Sequence, residues 1–456
     1  MSLQADPKSP LAETFDLVVK NATLVNHAGE GPADIGISSG RIAAIGAIDS
    51  GAAGKILDAK GLHILPGVID TQVHFREPGL EHKEDLATGS ISAVLGGVTA
   101  VFEMPNTKPE TTSAEALADK VARGRDRMYC DFAFYVGATS DNIDALPELE
   151  RLPGAAGVKV FVGSSTGDLL VEEEESLARI FCTIRRRAAF HAEDEARLRE
   201  RAGLRRGGDP ASHSEWRDAT AALAATERLI RLATAAGARI HILHVSTAAE
   251  MELLAGHKDV ASVEVTPQHL TLAADEAYAA LGTKAQMNPP LRSREHQDAL
   301  WWGLDQGVVD VLGSDHAPHT LEEKSGTYPA TPSGMPGVQT LVPVMLDHVN
   351  AGRLSLARFV DLTSAGPQRL FGIAGKGRIA VGYDADLTLV DLKAERTIEN
   401  DWIGSKCGWT PFVGRKVKGW PAGTIVRGHV AMWEGELGAK ASGAPVRFSE
   451  ALQRHY

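Results

Sequence analysis

Cysteine is scarce: only Cys130, Cys182 and Cys407 occur in 456 residues, far apart and without a C-x-x-C pair. That excludes a disulfide framework and a thiolate zinc site, and leaves reduced core cysteines as the plain reading. Basic residues are in deficit as well, 47 Lys and Arg against 59 Asp and Glu, for a net charge of −12. Such a balance disfavours nucleic acid and anionic membranes as partners. No apolar run approaches the length of a membrane span, and Met1–Pro10 lacks the basic and then apolar regions of a secretory signal, so a cytoplasmic location is expected. With 43% apolar and 23% charged residues, the chain can bury a large core, and its length suits two domains.

From Ile64 to Gly372, short apolar runs alternate with polar or glycine-rich breaks and Ala- or Leu-rich helical stretches. Eight runs stand out: Ile64–Ile69, Val98–Glu103, Phe132–Ala138, Val158–Val162, Ala188–His191, Arg239–Val245, Ser262–Thr266 and Val308–Gly313. Eight βα units predict an α/β fold, a (β/α)8 TIM-type barrel. Ser113–Gly124 and Asp218–Ala236 have the three- and four-residue apolar spacing of its outer helices. Phe15–Val25 and Ala33–Ile45, before the barrel, alternate like strands, as do Ala385–Ile398 and Gly423–Leu437 after it.

In such barrels the chemistry lies at the C-terminal ends of the strands. Those ends are unusually polar here: Asp70-Thr-Gln-Val-His-Phe-Arg76, Glu103-Met-Pro-Asn106, Lys159, His191-Ala-Glu193, His244 and Asp315-His-Ala-Pro-His319. A single histidine in an apolar run is usually a core residue, and His241 is read that way. His74, His191, His244 and Asp315 cluster at one end of four strands, which independent core residues have no reason to do. Imidazole and carboxylate are the ligands of open catalytic zinc sites. Lys159 lies mid-strand, where burial lowers an ammonium pKa. A neutral amine there could take up carbon dioxide as a carbamate and bridge two cations; the plainer alternative is an ion pair with a nearby carboxylate.

His74-Phe-Arg-Glu-Pro-Gly79, Glu103-Met-Pro-Asn-Thr107, Met287-Asn-Pro-Pro-Leu-Arg292, Asp315-His-Ala-Pro-His319 and Ala385-Asp-Leu-Thr-Leu-Val-Asp391 resemble the dihydroorotase family, within the cyclic-amide branch of the metal-dependent amidohydrolases. The resemblance spans nearly the whole chain. It implies that residues 1–63 and 373–440 build one small β-sandwich domain around a catalytic barrel of residues 64–372, followed by an extension of residues 441–456. His74, Lys159 as carbamate, His191, His244 and Asp315 would then bind one or two zinc ions. Arg76, Asn106, Asn288 and His319 would meet the substrate, joined by Pro336 and Gly337 of the loop Ser333–Thr340. Asp315 would shuttle the proton as dihydroorotate and N-carbamoyl-aspartate interconvert in pyrimidine biosynthesis. A homo-oligomer, dimer or tetramer, and a carbamoyltransferase partner are further implications.

Arg76 suits a substrate carboxylate independently, since its planar fork can give two donors to one anion. One departure from the family stands out: Gln72-Val-His74 replaces the usual His-x-His. A glutamine oxygen is a poor zinc ligand, which leaves open a weakened two-metal site, a one-metal enzyme, or an inactive partner subunit. A ring-opening allantoinase or hydantoinase, acting on substrates without a carboxylate, is the alternative enzyme. His82 and His269 are candidates to supply the missing imidazole. Glu172–Glu175 reads as a solvated face, Arg185–Arg187 as surface ion pairs, and Trp301 with Trp302 as helix packing.

Overall fold

The eight apolar stretches form a parallel sheet in chain order: Val68–Val73, Val98–Glu103, Asp131–Gly137, Ala155–Phe161, Ala188–His191, Ile240–Ile242, Ala261–Val265 and Val311–Leu312. The computed structural model describes residues 14–164 and 169–449. Every residue in the eight strands is buried, as expected where helices cover one face and packed side chains the other. A parallel bridge between Val73 and His316, with the His74 amide donating to the His316 carbonyl at 2.7 Å, links the last strand to the first and makes the sheet a barrel.

The outer helices begin where their sequences offer caps. Ser113 accepts from the Ala116 amide to start Ala114–Gly124, and Asp218 accepts from the Ala221 amide to start Ala219–Ala236. The second helix stops at Gly237, whose φ of 65° is the left-handed turn that glycine tolerates.

Strands from both ends of the chain share a nine-stranded sheet. Its middle member, His63–Pro66, pairs in parallel with Leu17–Asn26 and antiparallel with Leu387–Thr397. The apolar run Ile64–Ile69 is therefore two strands in two sheets, divided at Gly67, where an added Cβ would collide with the Thr99 hydroxyl. The eighth strand is also shorter than the run Val308–Gly313 suggests, only Val311–Leu312.

The described part of the expected extension, residues 441–449, packs against the barrel. Pro445 bridges to Phe132, and the Val446 amide donates to the Phe132 carbonyl at 2.8 Å. Phe448 is buried beside Phe102, ring centroids 5.8 Å apart, and Phe371 meets the same ring edge-on at 5.4 Å. These aromatics plug the N-terminal end of the barrel, while residues 450–456 lie outside the described part. Among the described residues no helix is long and apolar enough to cross a membrane.

Candidate active site

The barrel's C-terminal end opens into a narrow cavity of about 20 Å³. Gln72, His74, Arg76, Asn106, Lys159, His191, His244, Asn288 and Asp315 all line it. The loop after the eighth strand reaches it through Ser333 and Gly334 rather than Pro336 and Gly337, which flank a separate small cavity beside His316. Gly334 is held at φ 134° against the Ala317 carbonyl, 2.6 Å from where a Cβ would stand, so no side chain fits there.

Three of these side chains leave their strands from backbone in the left-handed region: Arg76 at φ 64°, His244 at 38° and Asp315 at 43°. Non-glycine residues hold such angles only where the surroundings over-determine them, and such strain concentrates at functional sites.

The hydrogen bonds indicate where the protons sit. His74 Nδ1 lies 2.8 Å from the Asn106 amide oxygen, which can only accept, so the proton belongs on Nδ1. Its Nε2 then presents a lone pair toward Asp315 Oδ1, 3.2 Å away. His191 Nε2 donates to Glu193 Oε2 at 3.0 Å, leaving Nδ1 as a lone pair that faces His244 Nε2 at 3.1 Å. Burial pushes all three imidazole pKa values below their ordinary value, so the rings are neutral bases. His74, His191 and His244 thus line one cavity as neutral bases.

Lys159 is buried with its ammonium over the Phe161 ring, 4.4 Å from the centroid. Among the described residues no carboxylate lies within 4 Å of it, so the expected ion pair is not what it makes. Burial lowers its pKa to about 7, against the opposing charges of Asp315 and Glu264, and a sizeable fraction is free amine at neutral pH.

Gln72 Nε2 donates to Asp315 Oδ1 at 3.0 Å, while Gln72 Oε1 is buried with no donor among the described residues. That orphan oxygen, the neutral imidazoles and the nucleophilic Lys159 are a donor set that fits a divalent cation. Among the described residues no three His, Cys, Asp or Glu side chains are grouped to hold an ion by themselves. A complete ligand set here has to draw on Lys159 or Gln72. His82 is paired with Glu323 at 3.7 Å, and His269 is turned to the Pro289 carbonyl at 3.1 Å. Neither lines the cavity to replace the missing imidazole.

Arg76 is 1% exposed, and among the described residues no carboxylate lies within 4 Å of its guanidinium. Nε donates to the Pro318 carbonyl at 3.2 Å and Nη2 stands 3.3 Å from His319 Nε2, while Nη1 has no such partner among the described residues. Burial brings its pKa down to about 10, which still leaves it charged. His319 stays behind Arg76, also bonded to Lys83 Nζ at 3.1 Å and the Ser333 carbonyl at 3.0 Å. Asn288 is fixed by His213 Nε2, 2.9 Å from its amide oxygen.

The partners that orient His191 were given no role by the sequence reading. Glu193, which fixes the His191 tautomer, is itself clamped by Arg217, Nε to Oε2 at 3.1 Å, and these partners hold its carboxyl far below the usual range despite burial. The spacing His191-Ala-Glu193 puts both side chains on one side of an extended chain, which was the available signal. Arg217 comes from a distant helix boundary and had none.

Residues 63–431 match the model described as the Amidohydrolase family. The chain is similar to a dihydroorotase of Halobacterium salinarum, 40% identical over 91% of this chain and 96% of that one. An allantoinase of Rubrobacter xylanophilus is 36% identical over 95% and 98% of the two chains. Among solved structures, L-hydantoinase (dihydropyrimidinase) from Arthrobacter aurescens superposes with a TM-score of 0.88 at 32% identity, covering 95% of this chain and 100% of that one.

Proposed function

The chain belongs to the amidohydrolase family and is a hydrolase of cyclic amides, and we propose that its substrate pair is dihydroorotate and N-carbamoyl-aspartate. Arg76 is the observation that carries this reading. A buried guanidinium beside the cavity, with no carboxylate of its own, is costly until an anion meets it. The ring carboxylate of dihydroorotate supplies that anion, and Nη1 is the free donor.

The family is metal-dependent, and the residues here fit one or two zinc ions held by His74, Lys159 as carbamate, His191, His244 and Asp315. Bound zinc would supply a water that is nucleophilic at neutral pH and would polarise the ring carbonyl. The rest is the work of the chain. Gln72 and His74 both meet Asp315 at Oδ1, so Oδ2 is the atom left to move a proton. Asp315 Oδ2 takes the proton of the attacking water and returns it to the ring nitrogen as the carbon–nitrogen bond breaks; in reverse, the same proton path closes the ring. Asn106 and Asn288 orient the ring, and His319 holds Arg76 in place. Pro336 and Gly337 support the loop from which Ser333 and Gly334 reach the cavity.

A homo-oligomer, dimer or tetramer, in the cytoplasm completes the reading, with a carbamoyltransferase as the partner that makes carbamoyl aspartate. Likeness to L-hydantoinase and allantoinase favours a second reading, ring opening of amides that lack the carboxylate. A panel of dihydroorotate, hydantoin and allantoin, assayed with and without zinc, separates them. Zinc-dependent turnover of dihydroorotate above the other two is the expected result. Preference for the uncarboxylated rings moves the assignment to the second reading, and a folded chain that takes up no zinc and turns over none of the three even with zinc supplied makes the protein a non-catalytic partner subunit.

A further inference from the structure

Lys324 is fully buried, yet it does not line the catalytic cavity. Two other buried lysines outside that cavity have carboxylate partners: Lys120 pairs with Glu103, and Lys376 with Asp131, Asp384 and Asp386. Lys324 instead meets three main-chain carbonyls, donating to Pro332 at 2.9 Å, Gly334 at 3.1 Å and Gln286 at 3.3 Å. Three carbonyls match the three hydrogens of an ammonium. Glu323, next to it on the short helix Leu321–Lys324, pairs with Lys83 at 2.9 Å and accepts from the Thr320 amide at 3.0 Å. Burial lowers the Lys324 pKa to about 7 against the opposing charge of Glu323, a cost that a methionine of similar length would not carry.

The three carbonyls belong to the two loops that bring Asn288, Ser333 and Gly334 to the cavity. Gln286 stands two residues before Asn288, and Pro332 and Gly334 flank Ser333. Carbonyl dipoles aimed at one point repel each other, and a buried carbonyl without a donor is costly. The loops therefore hold this approach only with a multiple donor between them. Two neutral bonds cross the same seam: the Gly334 amide donates to the Gln286 carbonyl at 2.9 Å, and Thr331 Oγ1 to Gln286 Oε1 at 2.5 Å. On the cavity side His213 Nε2 spans the loops, 2.9 Å from Asn288 Oδ1 and 3.4 Å from Ser333 Oγ.

We propose that Lys324 is a positioning residue for cyclic-amide hydrolysis, clasping the Asn288 loop to the Ser333–Gly334 loop so that both meet the ring. The inference rests on the reading that these loops orient the ring, and is independent of which ring it is. Among the described residues no hydrogen bond or ion pair joins Lys324 to Arg76 or to a proposed zinc ligand. Its loss therefore weakens the hold on the ring in the ground state and the transition state alike, which raises KM and spares kcat.

The test takes the zinc-loaded full chain and whichever of dihydroorotate, hydantoin and allantoin the wild type turns over fastest. Lys324→Met is expected to raise KM about tenfold, with kcat within about twofold and zinc per chain unchanged. Thr331→Val, which removes the neutral bond to Gln286 Oε1, is expected to raise KM about two- to threefold, again at constant kcat. It carries the test if Lys324→Met fails to fold by circular dichroism. An unchanged KM in folded Lys324→Met overturns the proposal, as does an unchanged KM in Thr331→Val where the first variant does not fold. A fall in kcat larger than the rise in KM, or loss of zinc, overturns it too, as the mark of a merely structural residue. A wild type that turns over none of the rings overturns the reading of the site itself, an outcome distinct from an active wild type with unaffected variants.

Discussion

At one end of the barrel a cavity of about 20 Å³ is walled by imidazoles, a lysine and a carboxylate; at the other, one of about 430 Å³ is walled by five arginines. At the first end Gln72 and His74 converge on one oxygen of Asp315, and three residues hold left-handed backbone angles. At the second, Arg186 and Arg187 rest on main-chain carbonyls, and no non-glycine residue of the wall has a positive φ. Strain is tolerated where atoms must be aimed at a reacting centre, and is absent where diffuse positive charge is enough. The contrast separates a cavity whose side chains are aimed by strained backbone from one whose wall is relaxed.

The largest effect expected from breaking this contrast is at Asp315. Asp315→Asn keeps the bond from Gln72 but removes the proton carrier, so turnover of dihydroorotate falls about 10²–10⁴-fold with the fold intact by circular dichroism. Next comes Arg76→Leu. Losing a charged hydrogen-bonding partner costs about 1.5–3 kcal/mol, so kcat/KM for dihydroorotate drops about 10- to 150-fold, while that for uncarboxylated hydantoin changes far less. An equal loss on both substrates would make Arg76 a purely structural residue.

Gln72→His sharpens the comparison by adding an imidazole at the catalytic end only. Zinc per chain, read by mass spectrometry of the dialysed protein, is expected to rise above that of the wild type; an unchanged count would mean that Gln72 does not limit metal binding.

The smallest effect concerns Glu264, inside the barrel between the two ends. It accepts from Thr71 Oγ1 at 2.6 Å, and burial raises its pKa from 4.5 to about 8. The folded state therefore keeps a proton that the unfolded chain releases. Stability from that proton is fully present below about pH 4.5 and is lost as pH rises to about 8. Glu264→Gln has no such proton to lose, so its Tm relative to the wild type should climb between pH 5 and pH 8. A constant difference across that range would contradict the raised pKa.

The barrel was legible because buried parallel strands write continuous apolar runs, and the helix limits at Ser113 and Asp218 because their caps are chemical signals. The start of the first strand was not. An apolar run does not record which sheet it joins, and Ile64–Ile69 passes from one to the other at Gly67. His74, His191, His244 and Asp315, which line the cavity, were found by their clustering at strand ends, a pattern that needs no knowledge of distance, whereas Asn106 and Asn288 came only from the resemblance. Pro336 and Gly337 misled because a glycine-rich loop does not show which of its residues faces inward. The left-handed angles of Arg76, His244 and Asp315 leave no trace in residue type. The packing of Phe448 under the barrel was equally silent, because a short apolar stretch near a terminus looks the same whether or not it folds back.

The strand His63–Pro66 leads straight into the segment that carries Gln72, His74 and Arg76, yet one of its two neighbours is Leu387–Thr397, more than 300 residues later in synthesis. A growing chain has made every side chain of the cavity before that neighbour has left the ribosome. Completion of the sheet that adjoins the first barrel strand thus waits on a late, long-range pairing, a slow kind of contact to form. Until it forms, the strand His63–Pro66 has an unfilled edge, and the nascent protein is most open to chaperones or to aggregation during that interval.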